Sequence, residues 1–379
     1  MTRRPAVVAL VAACLGACVG AFPAHAAETI GKTFPADFPV IEDASLGVPV
    51  IGFGSSVGDV RRTPVIFLHG NNDTPYPIPV CNEPYGKVQA MAQHFLDGGY
   101  APKELWALGY QGDQCDLLTD ETRRAKEPHS TVANLPDLRA FVHAVLDYTG
   151  AKQVDIVGHS LGTTLAREWM RADNAYAMVR RLVGVDGPNH GIINCSPSPQ
   201  NWYVTIGFTP DSPVCLEYGA ADTPLLARLN TGDETPGPTE YLVLMNADTS
   251  FVYIAEQDGV MAPVPAEDRH GNPHDFSQSA RLAGAKVIEF TEQGQYDQAL
   301  LASHTGIINS PDVWAAAFAF LTAKAAPPQA APTTRPVPAA PQPPAGRPLP
   351  ATGLDAAWLA GAALLVAGAV TVRRRLRVS

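Results

Sequence analysis

The feature that most constrains this chain is the segment VDIVGHSLGTTLAREWM at residues 154–170. A short apolar, β-branched run leads into one glycine, and the residues after a second glycine have helical composition. A serine between two glycines at a sharp strand-to-helix turn is typical of a nucleophile, because larger flanking side chains would collide with the strand and the helix. The segment therefore predicts an α/β fold in which Ser160 stands at a helix N-terminus.

The same five-residue pattern occurs a second time, in GSSVG at residues 54–58. No strand leads into this copy, and the residues that follow it, DVRRTP, have no helical face. Because a bare motif is weak without its structural context, we expect Ser56 to lie in a glycine-rich loop.

Predicted strands and helices alternate along the chain. The predicted strands are 64–69, 104–110, 153–157, 179–185, 240–245, 250–255 and 286–290, and the predicted helices are 86–96, 134–148, 163–172 and 312–324. Such alternation predicts a mainly parallel sheet with helices on both faces.

A serine hydroxyl is a poor nucleophile unless a base removes its proton. Four histidines follow Ser160, and His304 lies between the last predicted strand and the last predicted helix, where a loop can reach the serine. His270 and His274 lie in a polar loop and are expected to be solvated, while His190 could line the site. We therefore predict His304 as the base.

The acid that orients this base should follow a strand and lie between the serine and the histidine in the chain. Asp258 comes just after the predicted strand 250–255, so we predict that it holds the imidazole in the required tautomer. Asp248 and Asp186, each at the end of another predicted strand, remain as alternatives.

An oxyanion needs two hydrogen-bond donors aimed at the developing negative charge. The backbone N–H of Leu161 directly follows the nucleophile, and the loop FLHGNN offers the backbone N–H of Asn71 after the first predicted strand. His69 in that loop is also expected to be a packed histidine at a strand end. No Cys or His spacing fits zinc, so we expect neither a metal nor a cofactor.

Both ends of the chain carry signals that separate them from the folded part. Residues 1–26 begin with two arginines, continue with an apolar run and end in AHA, which predicts a secretory signal peptide; a lipoprotein signal ending at Cys14 or Cys18 is the alternative. Residues 27–324 have the size of one α/β domain, and the Pro- and Ala-rich residues 325–348 predict an extended linker.

Without the two terminal signals the chain loses six Arg and one Asp, and its net charge changes from −10 to −15. An acidic exported domain is unlike a nucleic-acid-binding protein, and we expect a monomer. Four cysteines remain, which predicts two disulfides in an exported protein. We favour Cys81–Cys115 and Cys195–Cys215, which close the shorter loops, although four cysteines allow three pairings.

The motifs resemble those of the secreted bacterial class 2 lipases, relatives of the small Bacillus lipases, and of the extracellular polyhydroxyalkanoate depolymerases that share their core. The resemblance covers roughly residues 64–321 and rests on FLHGNN, VDIVGHSLG, VYIAEQDGVM, and LAGAKVIEF followed by HTGIINS. It implies an α/β-hydrolase fold without a cofactor. It also implies a set of site residues: Ser160 as nucleophile, Asp258 as acid, His304 as base, and Asn71 with Leu161 as oxyanion donors.

The C-terminal residues 349–379 contain LPATG, an apolar run and a basic tail, an order that resembles the LPxTG sorting signal of Gram-positive surface proteins. The resemblance implies that a sortase cuts between Thr352 and Gly353 and joins Thr352 to peptidoglycan. An ordinary membrane anchor is the alternative, since the basic tail fits a cytoplasmic stop in either case.

Residues 195–239 form an insert that the smallest lipases lack, and its apolar segments at 201–204 and 206–208 could cover the site as a lid or belong to a disulfide-pinned surface loop. A second insert lies between residues 258 and 283. The sequence as a whole predicts a wall-anchored serine hydrolase that cleaves lipid acyl esters. A polyester depolymerase, an acyltransferase and a non-catalytic binding module are the alternatives.

Overall fold

The computed structural model describes residues 28–79, 81, 84–110, 129–198, 208–247, 267–296 and 303–324. All of them belong to the first of two compact units, Met1–Lys324. The predicted signal peptide, the linker 325–348 and the sorting signal with Thr352 and Gly353 lie outside the described residues and remain predictions.

In the part of the chain that the structure describes, seven strands form one sheet in the order β1-β3-β2-β4-β5-β6-β7. Only β1 is antiparallel to its neighbour, β3, and the other five neighbouring pairs are parallel. The inner strands are continuous apolar runs because both faces of a parallel sheet are covered. The strands are β1 Ile51–Phe53, β2 Val65–Leu68, β3 Leu105–Gly109, β4 Val154–His159, β5 Val179–Val185, β6 Glu240–Asn246 and β7 Lys286–Phe290.

Helices cover the two faces of this sheet. The described α-helices are α1 Val88–Asp97, α2 Thr131–Thr149, α3 Leu161–Ala172, α4 Pro213–Tyr218, α5 Pro224–Asn230, α6 Ser303–Ile307 and α7 Pro311–Thr322. One buried apolar cluster packs α2 and α3 against the sheet, and a second packs α1 and α7 against it. The predicted α/β-hydrolase arrangement of a mainly parallel sheet between helices is therefore confirmed.

One strand of the sheet, β1, was not expected from the sequence, because three residues are too few to show a period. The predicted strand 250–255 lies outside the described residues and stays a prediction. The described strands β6 and β7 pair directly along five residue pairs.

The described second half of the insert is fixed to the domain. A disulfide joins Cys195 to Cys215, with their Cα atoms 5.5 Å apart. The carboxylate of Glu217 accepts hydrogen bonds from the backbone N–H of Thr131 at 2.7 Å and from Val132 at 3.1 Å, so α4 satisfies the first turn of α2. This half of the insert is therefore held against α2. The apolar residues 201–204 and 206–207 of the predicted lid lie outside the described residues.

The other predicted disulfide is only partly described. Cys81 is disulfide-bonded, but its predicted partner, Cys115, lies outside the described residues, so the pairing remains a prediction. In the described part of the chain, no helix has the length and apolar character needed to cross a membrane.

Candidate active site

The predicted strand-to-helix turn joins β4 to α3, with Ser160 between them. Ser160 has a φ of 52°, in a region that non-glycine residues rarely occupy. A Cβ on Gly158 would lie 2.6 Å from the backbone N of Thr163, and a Cβ on Gly162 would lie 2.7 Å from the carbonyl oxygens of Leu68 and His69. Both glycines are therefore required by backbone contacts on either side of the serine.

His304 meets Ser160 from α6, after the last strand. Its Nε2 lies 2.9 Å from Ser160 Oγ, and its Nδ1 lies 2.7 Å from Asp186 Oδ2. A carboxylate only accepts hydrogen bonds, so Nδ1 carries the proton and Nε2 offers its lone pair to the serine hydroxyl. Ser160 and His304 are 7% and 6% exposed, and Asp186 is fully buried.

Among the described residues, the carboxylate that contacts His304 is that of Asp186, with Oδ2 2.7 Å from Nδ1. Asp186 is one of the alternatives that the sequence left open. Asp258 and the alternative Asp248 lie outside the described residues, so their roles stay predictions. The sheet order explains why Asp186 reaches the site: β5 lies next to β4, and Val185 pairs with His159. Asp186 and Ser160 therefore follow neighbouring strands at the same edge of the sheet.

Asp186 is held by the end of β6. Its backbone N–H donates to Leu244 O at 2.8 Å, and its carboxylate accepts from the backbone N–H and the side-chain amide of Asn246 at 3.2 and 3.0 Å. Sequence reasoning missed Asn246. Its position at the end of the strand that follows the insert is the sequence signal that could have indicated a place near the site.

His159 is hydrogen-bonded to the backbone of the base, His304. Its Nε2–H donates to the backbone oxygen of His304 at 3.0 Å, and the two rings lie 4.9 Å apart between centroids. Burial, with the neighbouring His304 as a smaller cause, holds the pKa of His159 well below its usual range. The ring is therefore a neutral donor that fixes the backbone of the base.

The loop after β2 passes directly over the nucleophile. A Cβ on Gly70 would lie 2.3 Å from Tyr85 Oη and 3.2 Å from Ser160 Cβ, so a side chain here would displace Tyr85 and crowd the nucleophile. The next residue, Asn71, is held through its carbonyl oxygen by Tyr85 Oη at 2.7 Å and through its side-chain oxygen by the backbone N–H of His129 at 2.7 Å. These bonds fix Asn71 directly after Gly70 in the loop, and its role as an oxyanion donor stays a prediction.

The second predicted donor, Leu161, is the first residue of α3. A backbone N–H at this position has no acceptor within its own helix, and the positive end of the helix dipole favours an anion there. Leu161 directly follows Ser160 in the chain, and its role as an oxyanion donor stays a prediction.

His69 is the packed strand-end histidine that the sequence also allowed. Its ring stacks on Tyr110 with the centroids 4.0 Å apart, Nδ1–H donates to Gly70 O at 2.8 Å, and Nε2 accepts from the backbone N–H of Tyr110 at 3.2 Å. Burial lowers the pKa of His69 to about 4. The neutral ring fixes the glycine that touches the nucleophile.

The sequence model of the class 2 lipases matches residues 62–278, more than half of the 379 residues. This chain belongs to the class 2 lipase family. Membership makes it a hydrolase of the lipase or esterase type, which acts on esters. No curated protein matches the chain.

Solved structures similar to this class 2 lipase include the mature lipase BlEst2 of Bacillus licheniformis, with 16% identity and a TM-score of 0.46 over 71% of this chain and 95% of that one. Lipase B of Aspergillus fumigatus has 12% identity and a TM-score of 0.43 over 71% and 55%. The esterase RhEst1 of a Rhodococcus has 13% identity and a TM-score of 0.40 over 78% and 98%.

The other histidines that the sequence offered in this class 2 lipase lie elsewhere. His190 Nε2 is 3.0 Å from Glu234 Oε1, so it ties the insert to the turn after β5. His270 is exposed, and the ring of His274 lies against Phe276. Within the described ranges, no group of three or more His, Cys, Asp or Glu side chains could hold a metal ion.

Proposed function

We propose that this chain is a serine ester hydrolase in which Ser160 is the nucleophile, His304 the general base and Asp186 the acid that orients it. One observation carries the proposal: a continuous line of hydrogen bonds runs from Ser160 Oγ through both ring nitrogens of His304 to Asp186 Oδ2, at 2.9 and 2.7 Å. Nucleophile and base within such reach, with a third group orienting the base, are the requirements for an activated serine.

In the proposed reaction, His304 Nε2 takes the hydroxyl proton while Ser160 Oγ bonds to the ester carbonyl carbon. The carbonyl oxygen becomes an oxyanion against the backbone N–H groups of Leu161 and Asn71. The tetrahedral intermediate then expels the alcohol, which takes the proton from Nε2. Water enters by the same route, loses a proton to His304, and releases the carboxylic acid and free Ser160.

Asp186 keeps its charge throughout this cycle. Its carboxylate fixes the Nδ1–H tautomer and stabilises the imidazolium that forms when Nε2 is protonated. Its complete burial makes this ion pair stronger than it would be in water, since the surrounding dielectric constant is low.

The substrate that family membership favours is a lipid acyl ester. We also propose that the enzyme is exported and joined through Thr352 to the cell wall of a Gram-positive bacterium. The AHA site before residue 27 and the LPATG signal with its basic tail support this location.

The decisive experiment uses the full chain and compares Ser160→Ala with Ser56→Ala, since both serines stand in a G-x-S-x-G pattern. Hydrolysis is measured on p-nitrophenyl esters from about two to sixteen carbons, on triglyceride emulsions and on polyhydroxyalkanoate films. We expect Ser160→Ala to lose at least about 10³-fold in kcat/KM. Ser56→Ala should be unchanged, because Ser56 is exposed in the loop between β1 and β2.

The substrate profile separates the alternatives. Preference for long-chain esters and triglycerides supports the lipase, and activity confined to films indicates a polyester depolymerase with the same nucleophile. A wild-type protein that is inert on every ester, or a Ser160→Ala variant with full activity, would contradict the proposed function and favour a binding module.

A further inference from the structure

The acid and its hydrogen-bond donor come from different strands. Asp186 follows β5, whereas Asn246 is the last residue of β6, 60 positions later. The Asn246 backbone N–H donates to Asp186 Oδ1 at 3.2 Å, and its side-chain Nδ2 donates to Oδ2 at 3.0 Å. Both carboxylate oxygens are therefore held by one residue.

The side-chain bond involves the oxygen that faces the base. Oδ2 accepts from Asn246 Nδ2 and also lies 2.7 Å from His304 Nδ1. Rotation of the carboxylate about its Cβ–Cγ bond would break both contacts at once. The amide of Asn246 thus fixes the direction in which Oδ2 approaches His304.

The backbone of Asp186 is also held by the end of β6. The Asp186 backbone N–H donates to Leu244 O at 2.8 Å, and the residue has a φ of 48°. A non-glycine residue in this region persists only when its surroundings determine it. The end of β6 supplies these surroundings through Leu244 and Asn246.

Stability alone does not explain an asparagine at this position. Asn246 is 1% exposed, and its Oδ1 has no hydrogen-bond partner among the described residues. An unpaired buried oxygen is destabilising, because it has lost its hydrogen bonds to water and gained none in the protein. The reversed amide orientation would place Oδ1 against the carboxylate, so the donor side of the amide must face Asp186.

We propose that Asn246 is a positioning residue for the reaction, which directs Asp186 Oδ2 at His304 Nδ1. The inference rests on the proposed function of the triad. A carboxylate aimed at Nδ1 fixes the imidazole tautomer and stabilises the imidazolium that forms when Nε2 takes the serine proton. Asn246 therefore acts on the rate through Asp186 and His304 and touches no reacting atom.

Two variants of the full chain test this role through the pH profile of kcat/KM on p-nitrophenyl butyrate. Asn246→Leu keeps the approximate size and removes the amide donor, and we expect kcat to fall about 10-fold with little change in KM. Asn246→Asp replaces the donor by a second carboxyl group in contact with the first, and two carboxylates at this distance share a proton. We expect the acid limb of the profile to shift by about one pH unit, because the titration of this pair changes the charge beside the base.

The matched control is Asn230→Asp in α5. Asn230 is half-buried and hydrogen-bonded, to Arg167 and to Asn189 O, but has no contact with the triad. Its pH profile should be that of the wild type. Thermal unfolding of each variant identifies any that fails to fold, and Asn246→Ser, which adds neither charge nor volume, then replaces it with the expectation stated for Asn246→Leu.

The outcomes separate this inference from the proposed function. Folded Asn246 variants with the wild-type kcat and the wild-type acid limb overturn the positioning role while leaving the triad intact. A Ser160→Ala variant that retains activity overturns the triad itself, and the role of Asn246 with it.

Discussion

The turn at Ser160 and the turn at Asp186 lie side by side at one edge of the sheet, and both hold a non-glycine residue near φ 50°. They are stabilised in different ways. Ser160 is confined by contacts of its own turn and of the neighbouring strand β2, through Gly158 and Gly162. Asp186 is held by hydrogen bonds from β6, 58 to 60 positions away in the chain.

The two turns of this site therefore tolerate different kinds of substitution. The serine turn is defined by the absence of side chains, so any added atom meets backbone that cannot move aside. The acid turn is defined by donors and acceptors on another strand, so it responds to changes of charge and hydrogen bonding more than to changes of volume.

The largest effect is expected from an added methyl group in the serine turn. Gly162→Ala would place a Cβ 2.7 Å from the carbonyl oxygens of Leu68 and His69, both backbone atoms. We expect a loss of at least about 3 kcal/mol in the free energy of unfolding, since overpacking against rigid atoms forces the backbone to shift. Urea unfolding of the full chain measures this loss.

The matched change on the acid side is Gly184→Ala in β5, whose Cβ would lie 2.7 Å from the terminal methyl carbon Cγ2 of Thr163. The end of a side chain can shift more readily than a backbone, so its loss should be smaller, about 1–2 kcal/mol. Gly31→Ala, with no atom within 4 Å of the new Cβ, should be neutral. Equal losses for Gly162→Ala and Gly184→Ala would contradict the distinction between the serine side and the acid side.

An effect smaller than that of Gly162→Ala is expected from acid, and it should arise on the serine side. Burial lowers the pKa of His69 to about 4 from 6.5, so the folded state binds fewer protons than the unfolded state between these values. The contribution is fully present above pH 6.5 and is lost as the pH falls towards 4. We expect about 2–3 kcal/mol less stability at pH 4.5 than at pH 7 from this residue.

The measurement is urea unfolding at both pH values for the wild type and His69→Gln. The glutamine does not titrate, so its pH dependence should be smaller by the amount that His69 contributes. Identical pH dependence in the two proteins would show that His69 is not held neutral in the folded state.

The same contrast explains what the sequence could predict. The glycines around Ser160 leave a pattern within five residues, and His304 is marked by its place between the last strand and the last helix. The strands β5 and β7 were predicted with their observed bounds. These are local signals, and local signals are visible in one sequence.

The contacts of Asp186 were not visible in this way. Asp186 and Asp258 each follow a predicted strand, and only the spatial order of the strands places β5 next to β4. Asn246 carries no motif at all, because its role depends on a partner 60 positions away. The docking of α4 on α2 through Glu217 likewise joins residues 86 positions apart.

The most direct test of the central claim compares kcat/KM of Asp186→Asn with that of Asp258→Asn in the full chain. Asparagine has the shape of aspartate and tolerates the same positive φ, so only the charge and the acceptor are removed. We predict that Asp186→Asn loses about 10⁴-fold and that Asp258→Asn keeps wild-type activity. The reverse result, an active Asp186→Asn and an inactive Asp258→Asn, would contradict the assignment of Asp186 as the acid of the site.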